Sequence, residues 1–160
     1  MAQDHGIIQM LLNNYEQLYR GKPWHGPTLR GSLMGLTAEE ASGHRTKSGH
    51  SIAEIALHCA YWKYAVRRRL SGGKRGAFPW KGSNWFSLPS PLSNDDWKAI
   101  LEILDREHDA LYQVIENYSE KLLMKKQAGS RFLPIEMIQG IAAHDVYHAG
   151  QIRLLKPVKK

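Results

Sequence analysis

Four segments of the sequence carry apolar residues at helical spacing, and this pattern limits the chain to few folds. The second segment starts at Ser51 with Glu54 three residues later, which is the spacing of a capping box, and it stops at Gly72. The fourth segment starts at Pro134, a residue that suits the first position of a helix. The predicted helices cover about residues 4–19, 51–72, 94–118 and 134–156.

No segment alternates in the manner of a strand, so the pattern predicts an all-α protein and, within that class, a four-helix bundle. At 160 residues the chain has the size of one domain, and we expect a single domain over residues 1–160. Connections rich in glycine and proline, residues 22–50 and 71–92, separate the first three helices. Thr37 and Glu40 have capping-box spacing as well, which predicts a short helical turn in the first connection.

Hydropathy and cysteine content indicate a cytoplasmic protein. No apolar run approaches the roughly 18 residues that cross a membrane, so we expect no membrane association. The N-terminal residues lack the basic start and apolar stretch of a signal peptide. The one cysteine, Cys59, has no internal partner for a disulfide, which suits a reducing compartment.

The net charge of +7 does not by itself identify a partner. The basic residues are scattered along the chain, and some fall near predicted helix ends, where cations complement the helix dipole. No nucleic-acid-binding motif accompanies them, so the sequence argues against a nucleic-acid partner.

Two histidines of the fourth helix suggest a metal site. His144 and His148 lie four residues apart on the apolar face, where buried imidazoles are costly without partners. A divalent cation would satisfy both, and His58 on the flank of the second helix supplies a third candidate ligand. Histidines that are hydrogen-bonded in a core or packed at a dimer interface remain the alternative. If a metal binds, three imidazoles leave coordination positions open for water or substrate.

The other histidines carry weaker signals. His108 lies on an apolar face, and we expect a hydrogen-bonded core residue in preference to a group that supports the metal site. His25 is expected at the surface, and no pattern distinguishes the remaining three, which we expect to be solvated. These are His5, His44 and His50.

Two other kinds of metal site fit poorly. Residues 144–148 place an aspartate where metalloproteases have the glutamate of H-E-x-x-H, and a shorter acid would position a general base badly. A di-iron bundle needs glutamates, whereas the acids with suitable spacing here are Asp105 and Asp145. Asp145 also lies about 100° around the helix from His144, away from the shared face.

The histidines and their neighbours resemble a known family. Residues 51–58 followed by Trp62, the pattern H-x-x-x-H-x-G-Q-I over residues 144–152, and the segment 24–27 are similar to the DinB/YfiT-like family. The resemblance spans nearly the whole chain and implies a four-helix bundle in which three histidines hold one divalent metal ion, zinc or nickel. It assigns these ligands to His58, His144 and His148. It also implies a homodimer.

For function, the resemblance implies a metal-dependent hydrolase or a transferase that uses a low-molecular-weight thiol. A hydrolase needs a general base, for which Glu54 and Asp145 are candidates. The plainer interpretations are that Glu54 caps its helix and that Asp145 is solvated. For an anionic thiol, the arginines at 67–69 and Arg153 are candidate partners. A non-enzymatic protein with a closed structural metal site, or a stress-response protein, remains the alternative, and the sequence leaves open whether the chain is an enzyme.

Overall fold

Helices account for the regular structure of the chain, for which the computed structural model describes residues 6–43 and 45–158. Two isolated bridges are the only β-type pairings in this described part. The prediction of an all-α protein is therefore confirmed. The elements are α1 (Gly6–Arg20), α2 (Leu29–Ser32), α3 (Ala38–Gly43), α4 (Ile52–Ser71), α5 (Asn94–Glu116), a 3-10 turn (Glu120–Leu122) and α6 (Pro134–Leu155).

Local capping chemistry fixes where α4 begins and ends. The Ser51 hydroxyl accepts a hydrogen bond from the Glu54 N–H at 3.2 Å, and the Glu54 carboxylate accepts one from the Ser51 N–H at 2.7 Å. At the other end Gly72 adopts a left-handed conformation with φ of 70°, which a residue without a side chain tolerates. Both predicted ends of this helix are confirmed.

The two short helices lie in the first connection. The predicted capping box is present in α3, where the Thr37 N–H donates to Glu40 at 2.9 Å. Helix α2 was not predicted, because its single turn is too short to show apolar periodicity. Its cap is Thr28, which accepts from the Gly31 N–H at 3.0 Å.

The four long helices pack together, with α4 along α5 and α6, and α1 against α5 and α6. Their buried apolar residues form two clusters, one at each end of the bundle. In α4 the first cluster extends to Ala60 and the second begins at Val66; in α6 the second ends at Ala142 and the first resumes at Ala149. A layer of buried polar side chains lies between the two clusters. Its members are Lys63, Glu107, His108, Asp145 and His148, and the buried His58 lies beside it, among the first-cluster residues of α4.

No helix in the described part combines the length and the apolar character needed to cross a bilayer.

Candidate metal centre

Three imidazoles converge on one point where α4 crosses α6. Nε2 of His144 lies 3.2 Å from Nε2 of His58 and 3.1 Å from Nε2 of His148. One nitrogen from each ring lies within 4.8 Å of the other two. The spacing of four residues puts His144 and His148 one turn apart on α6, and α4 brings His58 to face them. These residues form the three-histidine cluster.

Hydrogen bonds on the far side of two rings fix which nitrogen faces the centre. Nδ1 of His58 donates to the Asn84 carbonyl at 2.9 Å, and because a carbonyl only accepts, the proton resides on Nδ1 and Nε2 carries a free lone pair. Nδ1 of His148 donates to the Gln151 side-chain oxygen at 2.7 Å, with the same consequence. Two unprotonated Nε2 atoms therefore point at His144.

Burial keeps the cluster uncharged at neutral pH. It lowers the pKa of His58 to about 4, an effect that the Asn84 carbonyl opposes. It lowers the pKa of His144 to about 3, with smaller contributions from the other two histidines and Lys63, and it lowers the pKa of His148 as well. Neutral imidazoles are the form that binds metal ions.

Without a cation, the hydrogen bonding of the cluster is incomplete. A neutral His144 that carries its proton on Nε2 can donate to only one of its two neighbours, so the Nε2 lone pair of the other neighbour receives no hydrogen from it. If its proton lies on Nδ1 instead, that buried atom has no hydrogen-bond partner in the described part of the chain. A metal ion accepts all three lone pairs at once and removes the conflict.

The distances suit a single ion. With metal–nitrogen bonds of 2.0–2.1 Å, ligand nitrogens lie about 3.3 Å apart in a tetrahedron and about 2.9 Å apart at the corners of an octahedron. The observed separations of 3.1 and 3.2 Å fall between these values. The three buried or half-buried histidines could therefore hold one metal ion. The donor set fits zinc, nickel and other first-row divalent metals.

The connection between α4 and α5, residues 72–92, forms a wall beside the cluster and is called the aromatic loop below. The Trp85 ring stacks on His58 at 3.9 Å between centroids, and His50 stacks on the opposite face of Trp85 at 3.6 Å. Asn84 has φ of 62° and accepts from the Trp62 indole N–H at 2.9 Å. The loop thus both orients His58 and shields it from water.

In a comparison with models of protein families, residues 25–152 match the model of the DinB superfamily. The chain belongs to the DinB superfamily. Comparisons with curated proteins and with solved structures found no match. Membership agrees with the helical fold and with the resemblance of the histidine motifs.

His50 of this DinB-superfamily protein was expected to be solvated, but it is half-buried in the stack with Trp85. The only sequence signal was its position directly before Ser51, the N-cap of the helix that carries His58. In the aromatic loop, Trp85 covers His58 while Phe86 packs in the core. His5 and His44 lie outside the described residues.

Glu54, a candidate general base, is engaged elsewhere. One carboxylate oxygen accepts from the Ser51 N–H at 2.7 Å and from the Arg45 guanidinium at 2.8 Å. No hydrogen bond joins Glu54 to the three-histidine cluster in the described structure. The capping role accounts for this residue.

Asp145, the other candidate base, is fully buried, so the expectation that it is solvated is wrong. The turn of about 100° from His144 directs it into the bundle and not towards water, because α6 packs against α1, α2 and α4. One carboxylate oxygen lies 2.5 Å from Nζ of Lys63, which is equally buried. Burial raises the pKa of Asp145, and Lys63 opposes that shift. Within residues 6–43 and 45–158, no hydrogen bond joins Asp145 to an imidazole.

Aromatic rings surround this ion pair. Nζ of Lys63 lies 4.6 Å from the ring centroid of Tyr15 and 4.8 Å from that of Tyr19. His108 lies between the same two rings, at 4.2 and 3.8 Å, and bonds Glu16 through Nε2 at 2.9 Å. His108 is thus a hydrogen-bonded core residue, as expected. Lys63 was not predicted to be part of a buried polar group.

Proposed function

We propose that this protein is a metal-dependent enzyme that binds one divalent ion, zinc or nickel, through His58, His144 and His148. The observation that carries the proposal is the convergence of three Nε2 atoms, two of them fixed as unprotonated by Asn84 and Gln151. No fourth His, Cys, Asp or Glu in the described part of the chain joins the group. Three protein ligands with further positions open are typical of catalytic metal sites, whereas structural zinc sites have four.

When bound, such an ion would lower the pKa of a coordinated water or thiol to near neutrality. The chain's own residues prepare the site. The Asn84 carbonyl and the Gln151 side chain hold two ligand rings in the required tautomer and orientation. Trp85 excludes water from the side of His58, which leaves access from the side where His144 is partly exposed.

Between the two reactions that the family resemblance suggests, the position of the acids favours thiol transfer. Hydrolysis requires a general base within hydrogen-bond reach of the attacking water. Glu54 is held by its helix cap and Asp145 by Lys63, so neither is free for that task. A thiol needs no such base, since metal coordination deprotonates it. We therefore propose a low-molecular-weight thiol as one substrate, with hydrolysis as the second candidate.

Metal content tests the proposal directly. We expect about one equivalent of zinc or nickel in protein purified without a histidine tag, and loss of the metal in His144→Ala. His25→Ala is the matched control, because this histidine is exposed and away from the cluster, and it should retain the metal. Equal metal content in wild type and His144→Ala would contradict the proposal.

Substitution with cobalt(II) separates the two reactions. Cysteine added to the cobalt protein should produce a sulfur-to-cobalt charge-transfer absorption if the open position accepts a thiol. A cobalt site whose spectrum responds to pH but not to cysteine would favour hydrolysis. A spectrum unchanged by either would indicate a closed, structural site and a non-enzymatic protein.

We also propose a homodimer formed through the exposed face of α6, in line with the family resemblance. From residue 139 to residue 150 this face carries no charged side chain, and Tyr147 is 64% exposed on it. Ala143 and Gly150 flank that ring with little side chain of their own. Light scattering should give twice the mass of one chain, and Ala143→Glu should reduce it to that of a monomer. An unchanged mass in the variant would exclude this face.

A further inference from the structure

A pocket of about 780 Å³ opens between the second half of α4 and the aromatic loop. Volumes of 300–1,000 Å³ are typical of sites for small organic molecules. Along α4 the wall of the pocket runs from Tyr61, about one turn beyond His58, to Arg69, eleven residues or about 16 Å beyond it. The pocket contains none of the three histidines. It is therefore a separate feature of the surface.

Positive charge dominates the lining of this pocket. Arg68, Arg69, Arg75 and Lys81 contribute to the walls, and no aspartate or glutamate does. None of these four residues forms an ion pair within residues 6–43 and 45–158. Four like charges around one cavity repel each other, and an anion in the cavity would relieve that repulsion.

The preceding arginine shows that the charge is not simply that of a basic helix. Arg67 points to the other side of α4 and binds Glu107 at 2.9 Å, so its charge is neutralised within the fold. Arg68 and Arg69 follow it directly in the sequence and line the pocket, with no acidic partner in the described residues. The Arg69 guanidinium also lies 5.8 Å from the centroid of the Trp62 ring. Four basic residues without an ion-pair partner in the described residues thus line the cavity.

Aromatic side chains supply the remainder of the wall. Phe78 and Trp80 come from the loop, and Tyr64 comes from α4. The Tyr64 hydroxyl accepts a hydrogen bond from the Ala77 N–H at 3.1 Å, which fastens the loop to the helix and keeps the pocket open. Flat rings beside guanidinium groups favour a planar organic body and not a bare inorganic ion.

We propose that this pocket binds a small organic anion that carries two or more carboxylate, phosphate or similar acidic groups on a planar apolar body. The proposal does not rest on the metal site, because binding needs only the cations and rings of the pocket. The pocket and the three-histidine cluster nevertheless share a wall. Ser83 lines the pocket, and the next residue, Asn84, bonds both His58 and Trp62.

Pyrenetetrasulfonate, a planar fluorophore with four acidic groups, is a suitable probe of the full-length, metal-free protein. Fluorescence anisotropy should show saturable binding of one probe per chain. The double variant Arg69→Glu/Arg75→Glu should bind at least about 30-fold more weakly, since each lost charge-assisted contact is worth about tenfold. Lys125→Glu/Lys126→Glu changes the net charge equally on exposed residues outside the pocket and should change affinity less than about twofold.

Trp80→Leu tests the contribution of the rings. This variant should weaken binding of pyrenetetrasulfonate several-fold but leave binding of inorganic pyrophosphate unchanged, because pyrophosphate has no planar body to stack. Circular dichroism establishes that each variant is folded. Absence of saturable binding to wild type, or equal losses in the two charge-reversal pairs, would overturn the proposal. Tighter binding of oligothymidylates with increasing length would overturn it in favour of a nucleic-acid surface.

Discussion

Two neighbouring residues of α6 belong to buried polar groups of opposite kinds. His144 faces the three-histidine cluster, which lacks any cation of its own, while Asp145 meets the ammonium group of Lys63. On the Asp145 side the chain supplies both charges of the pair. On the His144 side it supplies three ligand nitrogens, which only a cation from outside the chain would satisfy together. Buried polarity alone does not mark a functional site, and neither does a single unpaired atom, because Asp145 Oδ1 and His108 Nδ1 also lack hydrogen-bond partners in the described residues. What marks the site is the convergence of three nitrogen donors on one point.

The largest expected effect on stability comes from breaking the ion pair between Lys63 and Asp145. Lys63→Met leaves the Asp145 carboxylate buried without its cation and should lower the free energy of unfolding by about 3–5 kcal/mol. The double variant Lys63→Met/Asp145→Leu removes both charges and should recover most of that loss. Urea unfolding of the metal-free proteins measures both. A double variant no more stable than Lys63→Met would show that packing, and not charge, dominates here.

The three-histidine cluster should instead make the free energy of unfolding depend on pH. Since burial lowers the histidine pKa values below 6.5, the unfolded chain binds protons that the folded chain refuses. The contribution of the cluster to stability is thus fully present above pH 6.5. It is lost as the pH falls towards the folded-state pKa values, which are about 4 for His58 and about 3 for His144. We expect the metal-free protein to lose about 2–4 kcal/mol between pH 7 and pH 5 in urea titrations.

Variants show which histidines cause this pH dependence of the free energy of unfolding. His148→Leu should flatten the slope, whereas His25→Ala should leave it unchanged. His108, which is also buried and neutral, contributes to the slope in every variant. Equal slopes in His148→Leu and wild type would show that the cluster is not its source.

A smaller effect concerns the support of the ligands. Gln151→Leu removes the acceptor that holds Nδ1 of His148 and frees its tautomer and ring. We expect about tenfold weaker zinc binding in competition with a chromophoric chelator, with little change in the stability of the metal-free protein. Gln139→Leu, on the same helix but remote from the cluster, is the control. Equal affinities in the two variants would remove Gln151 from the site.

Residues with local signals were predictable from the sequence. The caps of α4 at Ser51 and Gly72 depend on contacts within one turn, and the i, i+4 spacing alone placed His144 beside His148. The angle from His144 to Asp145 was also correct. What lies at that angle depends on which helices pack there, and a period of 3.6 residues contains no such information.

Contacts between distant segments were not predictable. The stack of His50, Trp85 and His58 joins the start of α4 to a loop more than thirty residues later, and no periodic pattern encodes its path. Lys63 was missed for another reason. Lysine is almost never fully buried without a partner, and that partner, Asp145, lies 82 residues away in the sequence.

The polar layer between the two apolar clusters has a consequence for how the helices align. Leucine and isoleucine contacts tolerate sliding, since one apolar neighbour is much like another. A slide of α6 by one turn, about 5.4 Å, would instead part Lys63 from Asp145 and leave two charges stranded in the interior. The ion pair thus fixes the position of α6 along α4, and in that position the three imidazoles meet.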